Sequence, residues 1–324
     1  MDAARDKAVR RALGCVCVAL LVLTAAGASG QERTGVRTLK DLAYVPDGHE
    51  RQKLDLYLPA AEPNAPRPLI VWVHGGAWQA GSKEGCPAVG FVEKGYAVAS
   101  INYRLSRHAI FPAQIQDCQA AIRWLRAHAN EYRIDPNRFG VWGASAGGHL
   151  VALLGVCSGP VRSGPVRAYD EASHDATTNE TTPDPDDIGV TANSDVSSRV
   201  QAVCDFFGPT DFAKMSSFAT TMDHDAPDSP ESRLIGGPVQ ESPELVRRAN
   251  PITYVTRDDP PFLIVHGDRD PLVPHNQSQM LYDALKKAGV EVTFYTVRGG
   301  GHGGFKDPQV ETLVAQFFAK HLRP

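Results

Sequence analysis

The 324-residue sequence predicts an α/β protein built on a mostly parallel central sheet with helices on both faces. Short runs rich in Val, Ile and aromatic residues recur at intervals too long for hairpins, and helical patterns fall between most of them. Strands that alternate with helices are joined by right-handed crossovers, and these lay the strands parallel.

The elements follow in chain order. Extended segments at 39–45 and 54–58 come first and can supply an antiparallel edge. Core strands are expected at 69–73, 97–103, 139–143, 200–207, 262–265 and 292–297. A helix is expected over 113–132, where Ile115, Cys118, Ile122, Leu125 and Ala129 recur at three- and four-residue steps. An apolar helical run covers 150–156, and a further helix follows Pro274 through Met280, Leu281 and Leu285 to a stop at Gly289. Residues 158–198 hold almost no large apolar side chain and read as a polar insertion. Residues 212–250 carry Phe212, Met215, Phe218, Met222, Leu234, Ile235 and Leu245, and read as a cap over the carboxyl edge of the sheet.

Composition narrows the function. With 42% hydrophobic and 22% charged residues the chain can bury a sizeable core. The net charge of −4 and the absence of a Lys/Arg block give nucleic-acid binding no electrostatic basis. Residues 1–30 have the layout of a secretory signal: Arg5, Lys7, Arg10 and Arg11 precede an apolar stretch over 12–28, which ends in small residues. That stretch is shorter than the roughly 20 residues a membrane anchor needs. The reading is therefore a cleaved leader, residues 31–324 as one catalytic domain with no stable membrane insertion, and export to a periplasm or beyond the cell. Acylation of Cys15 is disfavoured because the apolar stretch lies after that residue. Cys86, Cys118, Cys157 and Cys204 remain, and three pairings or ordinary buried thiols are open. No metal-ligand spacing occurs, and no cofactor is called for.

Gly143-Ala144-Ser145-Ala146-Gly147-Gly148 lies between an expected strand and a helical run. A serine there occupies a sharp strand-to-helix turn that tolerates only small neighbours and leaves the hydroxyl clear at the sheet edge. A neutral serine is a poor nucleophile and needs a base held by an acid. His302, inside a five-glycine loop after the last strand, is the expected base. Asp268 and Asp270 follow the strand at 262–265. Asp270 is preferred, because Asp268 sits closer to the strand end, where capping the backbone would occupy it. Amides that approach a developing oxyanion to about 3 Å stabilise it by several kcal/mol. Gly76 and Ala77 are the expected donors from the loop after strand 69–73, with Ala146 as the third. His74 is read as holding that loop. Trp78 and Phe207 are assigned to substrate binding, although shielding the loop or filling the core would explain either residue.

These segments resemble the α/β-hydrolase superfamily and, within it, the bacterial feruloyl/acetyl-xylan esterase-type family labelled BD-FAE. The resemblance rests on His74-Gly75-Gly76-Ala77-Trp78 with Gly81-Ser82-Lys83, on the stretch 96–105, and on Gly143 to Leu150. Asp205 to Phe212 and His266 to Pro274 continue it. It implies Ser145 as nucleophile, Asp270 as acid, His302 as base, and esters of carbohydrate or aromatic acids as substrates. The insertion at 158–198 departs from the pattern. Two other readings are a peptidase of the prolyl-oligopeptidase type, for whose propeller the stretch ahead of Leu69 is too short, and a non-catalytic binding protein on the same fold.

Overall fold

The computed structural model describes residues 35–157 and 195–323. The expected leader, and the expected insertion up to residue 194, lie outside the described residues. Eight strands form one sheet: β1 (Val36–Ala43), β2 (Lys53–Pro59), β3 (Arg67–Val73), β4 (Ala97–Ile101), β5 (Ile134–Ala144), β6 (Ala202–Phe206), β7 (Phe262–Gly267) and β8 (Val292–Val297). Their order is β1-β2-β4-β3-β5-β6-β7-β8. β1 and β2 pair antiparallel, as do β2 and β4, and the remaining neighbours are parallel.

Alternation of side chains along each strand divides the interior into two layers. In β3, Leu69, Val71 and Val73 face one layer with residues of α1 (Ala113–Ala127), α2 (Ala146–Val156) and α5 (Asn276–Ala288). Ile70 and Trp72 face the other, with the 3-10 turn Pro87–Phe91 and α6 (Pro308–Leu322). Helices thus cover both faces, and the buried strands read as continuous apolar runs for that reason.

The boundaries differ from expectation in places. α1 ends at Ala127, short of the expected residue 132, and β5 begins earlier, at Ile134. α6 was not anticipated. It buries Val310, Val314, Phe318 and Leu322, and its N-cap Asp307 accepts a hydrogen bond from the Gln309 amide at 2.9 Å. Cys86, Cys118 and Cys204 are free thiols, so none of the three pairings among the four cysteines is made.

Topology selects the place for a site. β3 connects to β4 on one side of itself, while its other neighbour, β5, connects onward to β6 in the opposite direction. Such a reversal opens a crevice at the carboxyl ends of the two adjacent strands. Residues 212–250, with α3 (Pro230–Ile235) and α4 (Pro243–Ala249), pack at this same edge: Phe111 N donates to Leu234 O at 2.7 Å and Thr221 N to Pro271 O at 2.8 Å. Phe212, Met215, Leu234 and Ile235 are buried there, whereas Phe218 and Met222 are exposed.

Candidate active site

Ser145 stands at the end of β5 as the N-cap of α2, with φ 56° and ψ −123°. A positive φ at a non-glycine residue is strained and persists only where the surroundings enforce it. Here the Ser145 amide donates to Phe206 O at 2.8 Å, and its carbonyl accepts from the His149 amide at 3.1 Å. The turn also needs glycines for lack of space. A methyl on Gly143 would lie 2.2 Å from Gly147 O, and one on Gly147 would lie 2.1 Å from Val73 O. This contact presses the serine turn against the end of β3.

The Ser145 hydroxyl lies 2.9 Å from His302 Nε2, and His302 Nδ1 lies 2.7 Å from Asp270 Oδ2. His302 is carried by the loop after β8 and Asp270 by the loop after β7, so the carboxyl ends of β5, β7 and β8, on one edge of the sheet, supply one hydrogen-bonded chain. A carboxylate only accepts, so Nδ1 holds the proton and neutral Nε2 is left to accept from the serine.

Asp270 is fixed on all sides. Its Oδ1 accepts from the amides of Leu272 at 2.8 Å and Val273 at 2.9 Å. Its Oδ2 also lies 3.2 Å from His266 Nε2. Burial by itself would raise its pKa; hydrogen bonds from His266 and His302, the His302 charge and the Val273 amide outweigh burial and hold the carboxyl well below the usual carboxylate range. Asp268 is occupied elsewhere: its Oδ1 accepts from the Gly299 amide at 2.6 Å and so caps the loop that carries His302.

His266 is a residue of the site that the sequence reading did not assign a role, although it opens one of the stretches carrying the family resemblance. It is fully buried, and its Nε2 lies 3.0 Å from Val273 O, which can only accept. Nε2 therefore carries a proton shared between that carbonyl and Asp270, and Nδ1 lies 2.7 Å from Ser278 Oγ. The spacing of four residues between His266 and Asp270 was the available signal.

The loop after β3 bends through positive φ at Gly76 (106°), Ala77 (53°) and Trp78 (55°). Among the described residues neither the Gly76 nor the Ala77 amide donates to a backbone acceptor. Ala146 opens α2, where helix geometry leaves the first amides without intrahelical partners. Gly75 brings the loop to the serine: a methyl on it would lie 3.3 Å from Ser145 Cβ. Lys83 fastens the far end of the loop, with Nζ 2.7 Å from Asp55 and 3.0 Å from Asp41.

The two residues assigned to substrate binding are both buried, as shielding the loop or filling the core would have them. Trp78 is 1% exposed and lies beneath the loop, edge-on to His149 at 5.3 Å and Phe212 at 5.4 Å, so it offers no face to a ligand. Phe207 is 6% exposed and packs its ring 4.7 Å from that of His302, while its amide donates to Val265 O at 2.8 Å. It supports the base and presents little surface of its own. Among the described residues no group of His, Cys, Asp and Glu is arranged to hold a metal ion, and no helix is long and apolar enough to cross a membrane.

A mostly parallel sheet whose reversal crevice holds a strained serine turn defines the α/β-hydrolase fold, and solved structures of esterases share it. A truncated carbohydrate esterase from gut microbiota matches with a TM-score of 0.76 at 37% identity, over 90% of this chain and 98% of that one. A bifunctional GH43-CE protein of Bacteroides eggerthii matches with a TM-score of 0.72 at 36% identity, over 87% of this chain and 38% of that one. The chain belongs to the BD-FAE family, whose model matches residues 54–285. That span contains Ser145 and Asp270 and stops short of His302. Esterase LipC of Mycobacterium tuberculosis is 31% identical over 257 residues, 78% of this chain and 57% of the relative. Esterase LipQ of the same organism is 29% identical over 85% of this chain and 59% of its own length. The chain therefore spans a little over half the length of these curated relatives.

Proposed function

We propose that this chain is a serine hydrolase of carboxylic esters. The observation that carries the reading is the hydrogen-bonded chain from Ser145 through His302 to Asp270 beside a strained serine turn. His302 Nε2 takes the hydroxyl proton as Ser145 Oγ attacks the ester carbonyl, and Asp270 steadies the imidazolium that forms. The carbonyl oxygen gains negative charge against the amides of Gly76, Ala77 and Ala146. Collapse breaks the bond to the alcohol, which leaves with the His302 proton. Water, deprotonated in turn by His302, then cleaves the acyl-enzyme to free the acid and Ser145.

The similarity to esterases and to a carbohydrate esterase supports an ester substrate; the acetyl or feruloyl group on a plant polysaccharide is the substrate that the family resemblance implies. The leader expected in residues 1–30 supports export, which would bring the enzyme to such a polymer in the periplasm or outside the cell. Residues 212–250, as a cap, border the crevice and shape access to it. The test is hydrolysis of p-nitrophenyl acetate by the wild type and by Ser145→Ala. The reading expects turnover that the substitution abolishes; a variant as fast as the wild type rejects it and favours a binding protein on this fold.

A further inference from the structure

We propose that Arg51, in the turn between β1 and β2, is a positioning residue for the amide that receives the oxyanion. Its guanidinium fixes the single proton of His74 on Nδ1, and that proton anchors and polarises the Gly75–Gly76 peptide. The inference rests on the acyl-transfer reading above and adds to it a residue far from the motif segments.

Arg51 Nη2 lies 3.1 Å from His74 Nε2. A guanidinium has donors only, so Nε2 must accept, and a neutral imidazole then carries its proton on Nδ1. Neutrality is secured by burial, assisted by the Arg51 charge and opposed by the Gly75 carbonyl; together they bring the His74 pKa down to about 4. Nδ1 lies 2.7 Å from Gly75 O and donates to it.

This carbonyl belongs to the same peptide unit as the Gly76 N–H. In a trans peptide the two groups point to opposite sides, so holding the carbonyl toward His74 turns the N–H away from it. The peptide is also closed in from behind: a methyl on Gly81 would lie 2.5 Å from Gly75 O and 2.6 Å from His74 Nδ1. A hydrogen bond accepted at the carbonyl strengthens the N–H of that unit as a donor, by an order of 10–30% per bond. Charge on Arg51 thus reaches the oxyanion position through one imidazole and one peptide.

The guanidinium is itself immobilised. Nε donates to Tyr103 O at 2.8 Å, and Nη2 donates to Gly81 O at 2.9 Å. Tyr103 stacks on the His74 ring at 4.4 Å, and its hydroxyl donates to His74 O at 3.0 Å. Arg51, His74, Tyr103 and Gly81 form one closed network behind the loop.

The experiment combines kinetics with nitrogen-15 NMR of histidine-labelled protein. The wild type is expected to show His74, assigned by its loss in His74→Gln, as a neutral ring protonated on Nδ1 at pH 7. In Arg51→Met the proton is expected to redistribute between the two nitrogens. The variant's kcat for p-nitrophenyl acetate should fall about 10-fold, a fraction of the loss from deleting a donor outright, with KM within about twofold. Arg51→Lys, which keeps a charged donor, should recover part of that kcat. Wild-type kcat in Arg51→Met, or His74 protonated on Nε2 in the wild type, overturns the relay alone. If Arg51→Met does not fold, the wild-type tautomer decides. A wild type as inert as Ser145→Ala removes the acyl-transfer reading and the relay together.

Discussion

His266 and His302 direct ring nitrogens at the same oxygen of Asp270, at 3.2 Å and 2.7 Å. The fully buried imidazole holds the carboxylate from behind while the partly exposed one faces Ser145. Asp270 has two amides on its other oxygen, so removing His266 takes away one of four hydrogen bonds and leaves Oδ2 held by His302 alone.

His266→Ala is expected to lower kcat on the order of 10- to 100-fold, through misplacement of the acid and base, with little change in KM. Steady-state kinetics on p-nitrophenyl acetate check this. An unchanged kcat would show that the two amides and His302 suffice to orient Asp270.

Asp205 at the end of β6 lies under the amino end of α2, with Oδ1 accepting from the Gly208 amide at 3.0 Å. Burial pushes its pKa up to about 7, and the Gly208 amide offsets this only in part. A carboxyl raised in the folded state binds a proton there that the unfolded chain has already released. Stability therefore falls as pH rises from the unfolded value near 3.8 to about 7, and is level above that. The loss is at most roughly 4 kcal/mol. In Asp205→Asn this slope should vanish, so the difference in unfolding free energy between variant and wild type shifts in favour of the variant between pH 5 and pH 8. Denaturant titrations at the two pH values measure it, and parallel pH dependence in both proteins would contradict it.

Trp78 lies in the core beneath the oxyanion loop, so Trp78→Ala should cost about 3–5 kcal/mol of stability. Urea denaturation gives the number. An unaltered midpoint with a raised KM would restore the substrate-facing role that the sequence suggested.

Phe318 of α6 is fully buried, and a methyl on Gly140 of β5 would come within 2.7 Å of its ring. Phe318→Ala is expected to lower stability by about 3–5 kcal/mol, while folded enzyme keeps its kcat, because α6 covers the face of the sheet opposite α2. Loss of kcat in fully folded protein would contradict that separation.

Much of this architecture was legible because its signals are local. The glycines and alanines around Ser145 announce a crowded turn, and the contacts at Gly143 and Gly147 are the crowding itself. The choice of Asp270 over Asp268 followed from where a strand-end aspartate hydrogen-bonds, and Asp268 does bond the Gly299 amide. The α6 helix could have been read from Val310, Val314, Phe318 and Leu322 at four-residue steps behind an Asp-Pro start. Other features depend on contacts between distant segments. Arg51 meets His74 only because β2 pairs with β4 and β4 with β3. His266 becomes a partner of Asp270 only when the intervening loop folds back on β7. Trp78 lies just past a glycine pair that suggests an open loop, yet its ring packs inward on His149 and Phe212.

The central claim is that His302 makes Ser145 a nucleophile, and a fluorophosphonate tests it most directly, by the rate and site of its covalent adduct. The account predicts a single adduct on Ser145 in the wild type, formed on the order of 10³-fold faster or more than in His302→Ala. An adduct on another residue, or equal labelling rates in the two proteins, would contradict it.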